Sequence, residues 1–127
     1  MNPLVLIFVG GGTGAVARYL VGIGWGRAIG PAQPWAATLI INVLGGLLMG
    51  VLISTLALRG GADQDRWRLL LGVGVLGGFT TFSTFSLEAV MMLQRRDYST
   101  LAFYVIGSVA FSIAGVMAGL YLTRKVL

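Results

Sequence analysis

The sequence predicts an all-α membrane protein of four transmembrane helices, and three observations support this fold class. Of the 127 residues, 57% are hydrophobic and only 10% are charged, and the mean hydropathy is +0.90. A soluble domain of this size needs far more polar surface. Each of four apolar stretches is long enough to cross a hydrocarbon core that needs about 20 helical residues. These stretches cover residues 4–24, 35–58, 69–93 and 101–122, so residues 1–127 are predicted to form one transmembrane domain.

The composition also excludes several kinds of chemistry. The chain contains no cysteine and no histidine, which excludes disulfides, thiol chemistry and histidine-based metal or acid–base sites. The glycine-rich segment 10–14 follows no strand and precedes no lysine, so it is not a phosphate-binding loop. The sequence shows no nucleophile–base pair and no metal-ligand cluster, and the protein is predicted not to be an enzyme. Because the net charge of +5 is scattered over short loops, it favours contact with anionic membrane lipid over nucleic acid.

The basic residues outside the spans bear on orientation. Four spans place both termini and the second connection on one side, which carries five basic residues: Arg59, Arg66, Arg68, Arg124 and Lys125. The opposite side carries three: Arg27, Arg95 and Arg96. A clear Lys/Arg excess normally sets orientation, and this bias is weak. Two interpretations therefore stay open, namely insertion in both orientations with pairing as an antiparallel dimer, or one orientation for every copy. Four helices leave little room for a water-filled path, so a transport pathway is easier to build between two copies.

Helix one carries small residues at a spacing of four, and so do helices two and four. Small residues at this spacing allow membrane helices to approach closely, so we expect tight helix packing at Gly10, Gly14, Gly22, Gly26, Gly46, Gly50, Gly115 and Gly119. Arg18 lies within the first span. It either extends to the membrane interface or lines a vestibule through which anions enter, and the sequence leaves both interpretations open.

Helix three has the most unusual composition. Four glycines between residues 72 and 78 weaken helix propensity, and four hydroxyl residues follow within residues 80–84. We therefore predict a local break near Gly77–Thr81, which must be buried or line a cavity at this depth. Such a break frees carbonyl oxygens, which are suitable ligands for a hard cation such as Na⁺. Phe79, Phe82 and Phe85 recur every three residues and are predicted to share roughly one side.

Helices two and four carry aligned polar side chains. Thr38 and Asn42 share one face of helix two, where the Asn42 amide either bonds to another helix or lines a polar path. Hydroxyl residues at a spacing of four form a continuous stripe on helix four: Thr100, Tyr104, Ser108 and Ser112. Glu88 is the only acidic residue inside a span. Hydrogen-bond donors without carboxylates suit a small, hard anion, and the positive edges of phenylalanine rings can stabilise it.

These residues carry a family resemblance over essentially the whole chain. The matching segments are GGGTGAVARY in helix one, NVLGG in helix two, GGFTTFSTFS with Glu88 in helix three, and the Tyr104–Ser108–Ser112 stripe in helix four. The chain thereby resembles the Fluc-type, or CrcB-like, fluoride ion channels. The third motif is long and chemically unusual, which makes it highly specific, whereas the glycine runs alone are weak.

The resemblance implies a dual-topology antiparallel homodimer with two fluoride pathways. It implies passive export of cytoplasmic fluoride across the bacterial inner membrane by a multi-pass protein. It further implies a structural, non-transported Na⁺ at the dimer axis, held by the backbone carbonyls of Gly77 and Thr80. The pathway residues that it implies are Asn42, Phe82, Ser83, Thr84, Phe85, Tyr104, Ser108, Ser112 and, less specifically, Arg18.

Two other functions compete with this interpretation. One is a small multidrug-type transporter, which exchanges protons for cationic drugs and needs a membrane-embedded carboxylate; Glu88 is the one candidate. The other is a non-transporting accessory subunit that uses its glycine faces for assembly. The stripe of hydroxyls argues against the accessory subunit, because assembly alone does not need aligned hydroxyls on a helix.

Overall fold

Four long helical segments follow one another along the chain, joined by short connections. The structure is a computed structural model that describes residues 1–31 and 33–127. Each segment is long and apolar enough to cross a membrane, which confirms the prediction of four spans. Three segments are continuous helices: α1 (Pro3–Ala28), α2 (Pro34–Arg59) and α6 (Tyr98–Val126). The third segment is divided into α3 (Gln64–Trp67), a π-helix (Arg68–Leu76), α4 (Gly77–Phe79) and α5 (Phe82–Gln94).

The helix starts are set by local sequence. The Asn2 side chain accepts a hydrogen bond from the Leu4 amide at 2.8 Å, and Pro3 occupies the first helical position of α1. Pro34 likewise begins α2, and the Asp97 side chain accepts from the Thr100 amide at the start of α6. Proline at the first turn and an Asn or Asp before it satisfy groups that have no partner inside the helix. These signals mark where the first, second and fourth spans begin.

Glycines bring α2 and α6 together. A Cβ atom added at Gly50 would overlap the carbonyl oxygen of Val116, and one at Gly119 would overlap the carbonyl oxygen of Leu47. Backbones this close leave no room for a side chain, as expected for small residues at a spacing of four. The predicted packing role of the glycines on α2 and α6 is confirmed.

The glycines of α1 divide into two groups. Gly10 and Gly14 pack against the π-helix and α4, where an added Cβ atom would overlap the carbonyl oxygens of Leu70 and Val75. Gly22 and Gly26 have no atom of another element within 4 Å of an added Cβ within the described chain. Within the described residues, the predicted tight packing is therefore found only in the first half of the helix.

The third segment breaks at Thr80 and Thr81, which confirms the predicted interruption. Both residues are extended, with φ and ψ of −80° and 158° at Thr80 and −151° and 122° at Thr81. The four glycines before them stay helical. The hydroxyl residues, and not the glycines, therefore determine where the helix breaks. The reason is that a Thr side chain can satisfy nearby amides in place of the helix, and the Thr81 hydroxyl accepts from the Thr84 amide at 3.2 Å.

The break also changes which phenylalanines share a side. Phe79 ends α4 and is buried beside Gly14 and Gly45, whereas Phe82 begins α5 with 78% of its surface exposed. Phe82 and Phe85 remain neighbours, with ring centroids 5.5 Å apart. The prediction that all three share one side is therefore wrong for Phe79, because the two extended residues interrupt the helical period between it and the other two rings.

Candidate functional site

Asn42 of α2 holds the break in the third segment through two hydrogen bonds to one residue. Its Oδ1 atom accepts from the Thr81 amide at 2.8 Å, and its Nδ2 atom donates to the Thr81 carbonyl at 3.0 Å. An extended residue at membrane depth must have its backbone groups satisfied by other parts of the protein. Of the two interpretations that the sequence left open, the structure therefore places Asn42 in a bond between helices. One of its two N–H groups is still available to a ligand, because an amide nitrogen carries two donors.

A groove of about 430 Å³ lies between α2, the break and α6 at the position of Asn42. We call it the α2–α6 groove. None of the described residues that line it is charged. Its polar lining consists of an amide and four hydroxyls, and its walls are glycines and apolar side chains. The predicted pathway residues that line it are Asn42, Phe82, Phe85, Ser108 and Ser112, together with Thr80 of the predicted cation site.

Ser108 carries the most informative side chain of this groove. The residue is only 7% exposed, and its Oγ atom is buried without a hydrogen-bond partner among the described residues. A buried hydroxyl without a partner is destabilising by about 1–3 kcal/mol. Most buried polar groups in folded proteins are paired. Ser108 therefore places in the wall of the groove a hydroxyl that no described group of the protein accepts from or donates to.

Tyr104 lies one helical turn before Ser108 and is fully buried. Its hydroxyl donates to Glu88 Oε1 at 2.9 Å, and its ring centroid lies 5.0 Å from that of Phe85 and 5.6 Å from that of Trp35. The hydroxyl stripe of α6 thus runs from the groove, through a buried tyrosine, to Thr100. Thr100 lines a polar cavity of about 310 Å³ that also contains Glu88, Arg95 and Asp97. Glu88 therefore has a defined partner, which the sequence alone did not reveal.

A second cavity lies on the other side of the break and also includes Thr81 in its lining. This α1-side cavity has a volume of about 470 Å³. It contains three of the predicted pathway residues together with the only carboxylate inside a span: Arg18, Thr38, Thr84 and Glu88. Arg18 is half-buried, and its Nη1 atom lies 3.5 Å from the carbonyl oxygen of Thr80. The predicted pathway residues are thus divided between two cavities that the break separates.

The remaining predicted residues lie at the break itself. Ser83 is exposed, and its hydroxyl lies 3.4 Å from that of Thr81. Gly77 is exposed. Among the described residues, the only atom near a Cβ atom added to it is the Gly72 carbonyl oxygen, at 3.6 Å. The Thr80 hydroxyl bonds back to the Leu76 carbonyl at 2.9 Å. The side chain of Thr80 is therefore occupied, whereas its carbonyl faces Arg18.

Two residues of this site were missed in the sequence. Thr81 receives both hydrogen bonds from Asn42, begins α5 and contributes to both cavities. Its position three residues before Thr84 is a helix-start pattern that could have identified it. Trp35 packs against Tyr104 at the far end of the aromatic series, and no local signal in the sequence indicates this contact.

Comparison with known proteins places the chain in a family. Residues 5–120 match the family model described as "CrcB-like protein, Camphor Resistance (CrcB)". The chain belongs to the CrcB family. A relative named fluoride-specific ion channel FluC, from Phenylobacterium zucineum, is 54% identical over 126 residues, which cover 99% of this chain and 98% of the relative. Proteins of the same name from Caulobacter vibrioides and Nitrobacter winogradskyi are 53% and 44% identical, over 99% and 97% of this chain and 98% and 96% of their own lengths.

Membership of the CrcB family confirms several expectations. The relatives are named as ion channels, and the expectation that this chain is not an enzyme is confirmed. With four apolar helices, this CrcB protein is a multi-pass protein of the bacterial inner membrane. The family resemblance, which rests on the GGFTTFSTFS motif and on the matching segments of the other three helices, is confirmed as well.

Proposed function

We propose that this chain is a fluoride channel that passively exports fluoride from the cytoplasm and so lowers its concentration there. The relatives that match it over nearly its full length are named fluoride-specific channels. In this proposal the α2–α6 groove forms part of the pathway. The permeating ion moves past the free N–H of Asn42 and the hydroxyls of Ser112 and Ser108 toward Tyr104.

The observation that carries the proposal is a groove whose polar lining is one amide and four hydroxyls, with no charged side chain among the described residues that line it. Fluoride is a small anion that leaves water only for good hydrogen-bond donors, and a hydroxyl without a protein acceptor can donate to it. A groove for cations or protons would instead be expected to contain carboxylates. Glu88, the only acidic residue inside a span, lies outside the groove and accepts from Tyr104.

Phe82 and Phe85 are proposed to complete the constriction. The ring of Phe85 contacts that of Tyr104, and Phe82 extends this series toward the open side of the groove. The positive edge of an aromatic ring attracts an anion without offering it a permanent charge. The proposed pathway thus combines hydroxyl donors with ring edges, which favour passage over tight binding.

A structural Na⁺ that is not transported is proposed at the carbonyls of Gly77 and Thr80. Among the described residues no group of three or more His, Cys, Asp or Glu could hold a metal ion, so carbonyl oxygens are the suitable ligands. The residues present fit such an ion because the Thr81 and Thr84 amides, the helical donors to these two carbonyls, are bonded to side chains instead. When bound, the ion would neutralise carbonyl dipoles at a break that otherwise faces an apolar medium.

We further propose that two copies pair as an antiparallel homodimer with dual topology, surrounded by anionic lipid that contacts the basic connections. The groove is open on one side, and Phe82 is 78% exposed at membrane depth, which supports closure by a second copy. The side with five basic residues also carries ion pairs of Arg66 with Asp63 and Arg68 with Asp65. Because Lys and Arg rather than net charge set orientation, the ratio of five basic residues to three supports a weak orientation preference.

Fluoride efflux from liposomes that contain the purified protein tests the function. We expect efflux that requires a counter-ion shunt, because a channel moves net charge, and that does not respond to a proton gradient. Coupling of fluoride to protons would contradict a passive channel, and the absence of fluoride flux in folded protein would contradict the function altogether. Reporters fused to the C-terminus test topology separately, and activity in only one compartment would contradict dual insertion.

A further inference from the structure

The break in the third segment changes which groups its backbone carbonyls can bond to. In an uninterrupted α-helix the carbonyl of each residue accepts from the amide four residues later. The Gly77 carbonyl would therefore bond to the Thr81 amide, and the Thr80 carbonyl would bond to the Thr84 amide. Both of these amides are instead bonded to side chains in this protein.

The first amide is taken by a side chain from another helix. Asn42 accepts from the Thr81 amide at 2.8 Å, and the same side chain donates to the Thr81 carbonyl at 3.0 Å. These two bonds hold Thr81 in an extended conformation, with φ of −151° and ψ of 122°. A helix cannot extend through a residue in this conformation. Asn42 therefore keeps the Thr81 amide away from the Gly77 carbonyl.

The second amide is taken by the side chain of Thr81. The Thr81 hydroxyl accepts from the Thr84 amide at 3.2 Å and thereby begins α5. Thr81 is a buried residue, with only 8% of its surface exposed. Water therefore does not compete effectively for this bond. The Thr80 carbonyl loses its helical donor for this reason, and Arg18, at 3.5 Å, is the group found beside it.

The Leu76 carbonyl, one residue before Gly77, shows the contrasting case. It accepts from both the Thr80 amide at 3.0 Å and the Thr80 hydroxyl at 2.9 Å. Both lone pairs of that oxygen are occupied, so it is a poor cation ligand. Whether a carbonyl oxygen at this break can bind a cation therefore depends on which side chains bond to the amides nearby.

We propose that Asn42 and Thr81 are the positioning residues of the cation site. They bond to the two amides that would otherwise occupy the Gly77 and Thr80 carbonyls, and so leave both oxygens without their helical donors, with Arg18 as the side chain beside the Thr80 oxygen. Neither side chain needs to contact the ion. This inference rests on the proposed function, because it assumes that Gly77 and Thr80 hold the structural Na⁺. Asn42 also lines the α2–α6 groove, so the same side chain acts on both the Na⁺ site and the proposed fluoride pathway.

Na⁺ titration of the purified full chain tests this inference. The measurement is the thermal stability of the protein in detergent as NaCl replaces N-methylglucamine chloride at constant ionic strength. We expect the wild type to be stabilised with a saturable dependence on Na⁺. Asn42→Leu and Thr81→Val should each weaken the apparent Na⁺ affinity about tenfold, the effect of about one hydrogen bond. Ser86→Ala is the matched control, because the Ser86 hydroxyl only bonds back to the Phe82 carbonyl of its own helix.

Asn42→Asp separates the positioning role from the pathway role. Aspartate keeps an oxygen that accepts from the Thr81 amide, but it loses the N–H that donates to the Thr81 carbonyl and adds a negative charge to the groove. We therefore expect the Na⁺ affinity to fall by no more than about tenfold, the effect of the one lost hydrogen bond, together with a loss of fluoride flux. Complete loss of Na⁺ stabilisation in Asn42→Asp would overturn the role assigned to the Asn42 oxygen. If Asn42→Leu does not assemble, Asn42→Asp and Thr81→Val decide the matter on their own.

The remaining outcomes distinguish this inference from the proposed function. Wild-type Na⁺ affinity in Asn42→Leu and Thr81→Val would overturn the positioning role and leave the fluoride channel and its cation intact. A wild-type protein that conducts fluoride but does not respond to Na⁺ would overturn the cation site, and the positioning role with it. A wild-type protein that is stabilised by Na⁺ but conducts no fluoride would overturn the channel alone.

Discussion

Before Thr80 the third span packs through its backbone, whereas after Thr81 it presents side chains to two cavities. In the first half, Gly74 lies against the backbone of Gly10, and Gly78 lies against that of Gly11, with no space for a Cβ atom. In the second half, Phe82 and Thr84 are both exposed, and they line the α2–α6 groove and the α1-side cavity respectively. Met92 is the only buried residue of α5. The first half therefore tolerates no added volume at Gly74 and Gly78, and the second half depends on the chemistry of its side chains. Substitutions should separate these two requirements.

The largest effect is expected from added volume on α1 where it packs against the first half of the third span. In Gly14→Val, the new Cβ atom would overlap the Val75 carbonyl and lie 2.8 Å from the Phe79 amide. Backbone atoms cannot move aside, so we expect a loss of about 3 kcal/mol or more and little folded protein. Size-exclusion chromatography and thermal melting in detergent measure this loss. Gly12→Val is the matched control, since nothing lies within 4 Å of an added Cβ there, and equal damage in both variants would contradict backbone packing.

A charge in the groove should be the most damaging change to the second half. Asn42→Asp places a carboxylate beside Ser108 and Phe82, where the anion is proposed to pass. At an effective dielectric constant of 20, two like charges 4 Å apart repel by about 4 kcal/mol. Fluoride efflux from liposomes should therefore fall by at least about a hundredfold, while the protein stays folded. A conducting Asn42→Asp would show that the ion does not pass this residue.

The aromatic rings should matter less than charge and should differ from each other. Phe85→Ile removes a ring that contacts Tyr104, whereas Phe82→Ile removes one that is 78% exposed. Ring-edge contacts contribute about 0.5–1.5 kcal/mol, so we expect about a tenfold loss of flux in Phe85→Ile and a smaller one in Phe82→Ile, with assembly unchanged. Phe111→Ile on α6, outside the lining of the groove, is the control. Unchanged flux in both groove variants would remove the rings from the pathway.

The contact between Tyr104 and Glu88 should have a still smaller effect. Tyr104→Phe keeps the ring against Phe85 and Trp35 but removes the hydroxyl that donates to Glu88 at 2.9 Å. If the hydroxyl guides fluoride toward the cavity at Thr100, flux should fall about threefold to tenfold, since one hydrogen bond contributes about 0.5–1.5 kcal/mol. Efflux from liposomes is again the measurement. A Tyr104→Phe protein with wild-type flux and lower thermal stability would show that the contact is structural.

The same comparison shows what the sequence could and could not predict. The four spans and the glycine contacts of α2 and α6 follow from hydropathy and spacing, which are local properties. The density of hydroxyls indicated a break, but its position depends on Asn42, which lies 39 residues before Thr81. Gly22 and Gly26 repeat the spacing of Gly10 and Gly14 but contact no other helix among the described residues, because the direction in which a helix crosses its neighbour is not encoded in that spacing.

The site was predictable in its composition and less so in its arrangement. The sequence identified the hydroxyl stripe of α6 because a spacing of four keeps residues on one face. It could not show that Arg18 and Thr38 line a different cavity from Ser108, because this depends on how the break divides the interior. Thr81 was overlooked because its importance arises from two hydrogen bonds that a residue distant in sequence makes.

Arg18 allows the smallest and most specific test, because it should affect the two ions in opposite directions. Its guanidinium lies 3.5 Å from the Thr80 carbonyl, where a positive charge opposes a cation, and it lines the α1-side cavity, where the same charge attracts anions. Arg18→Gln should therefore tighten Na⁺ binding about threefold and lower fluoride flux about twofold at low ionic strength. Arg18→Lys is the matched control, because it keeps the charge. The change in flux should disappear in high salt if the charge acts at a distance through water. A change in flux that persists in high salt would instead indicate that Arg18 contacts the permeating ion. Weaker Na⁺ binding in Arg18→Gln would show that the guanidinium holds the Thr80 carbonyl in place rather than competing with Na⁺ for it.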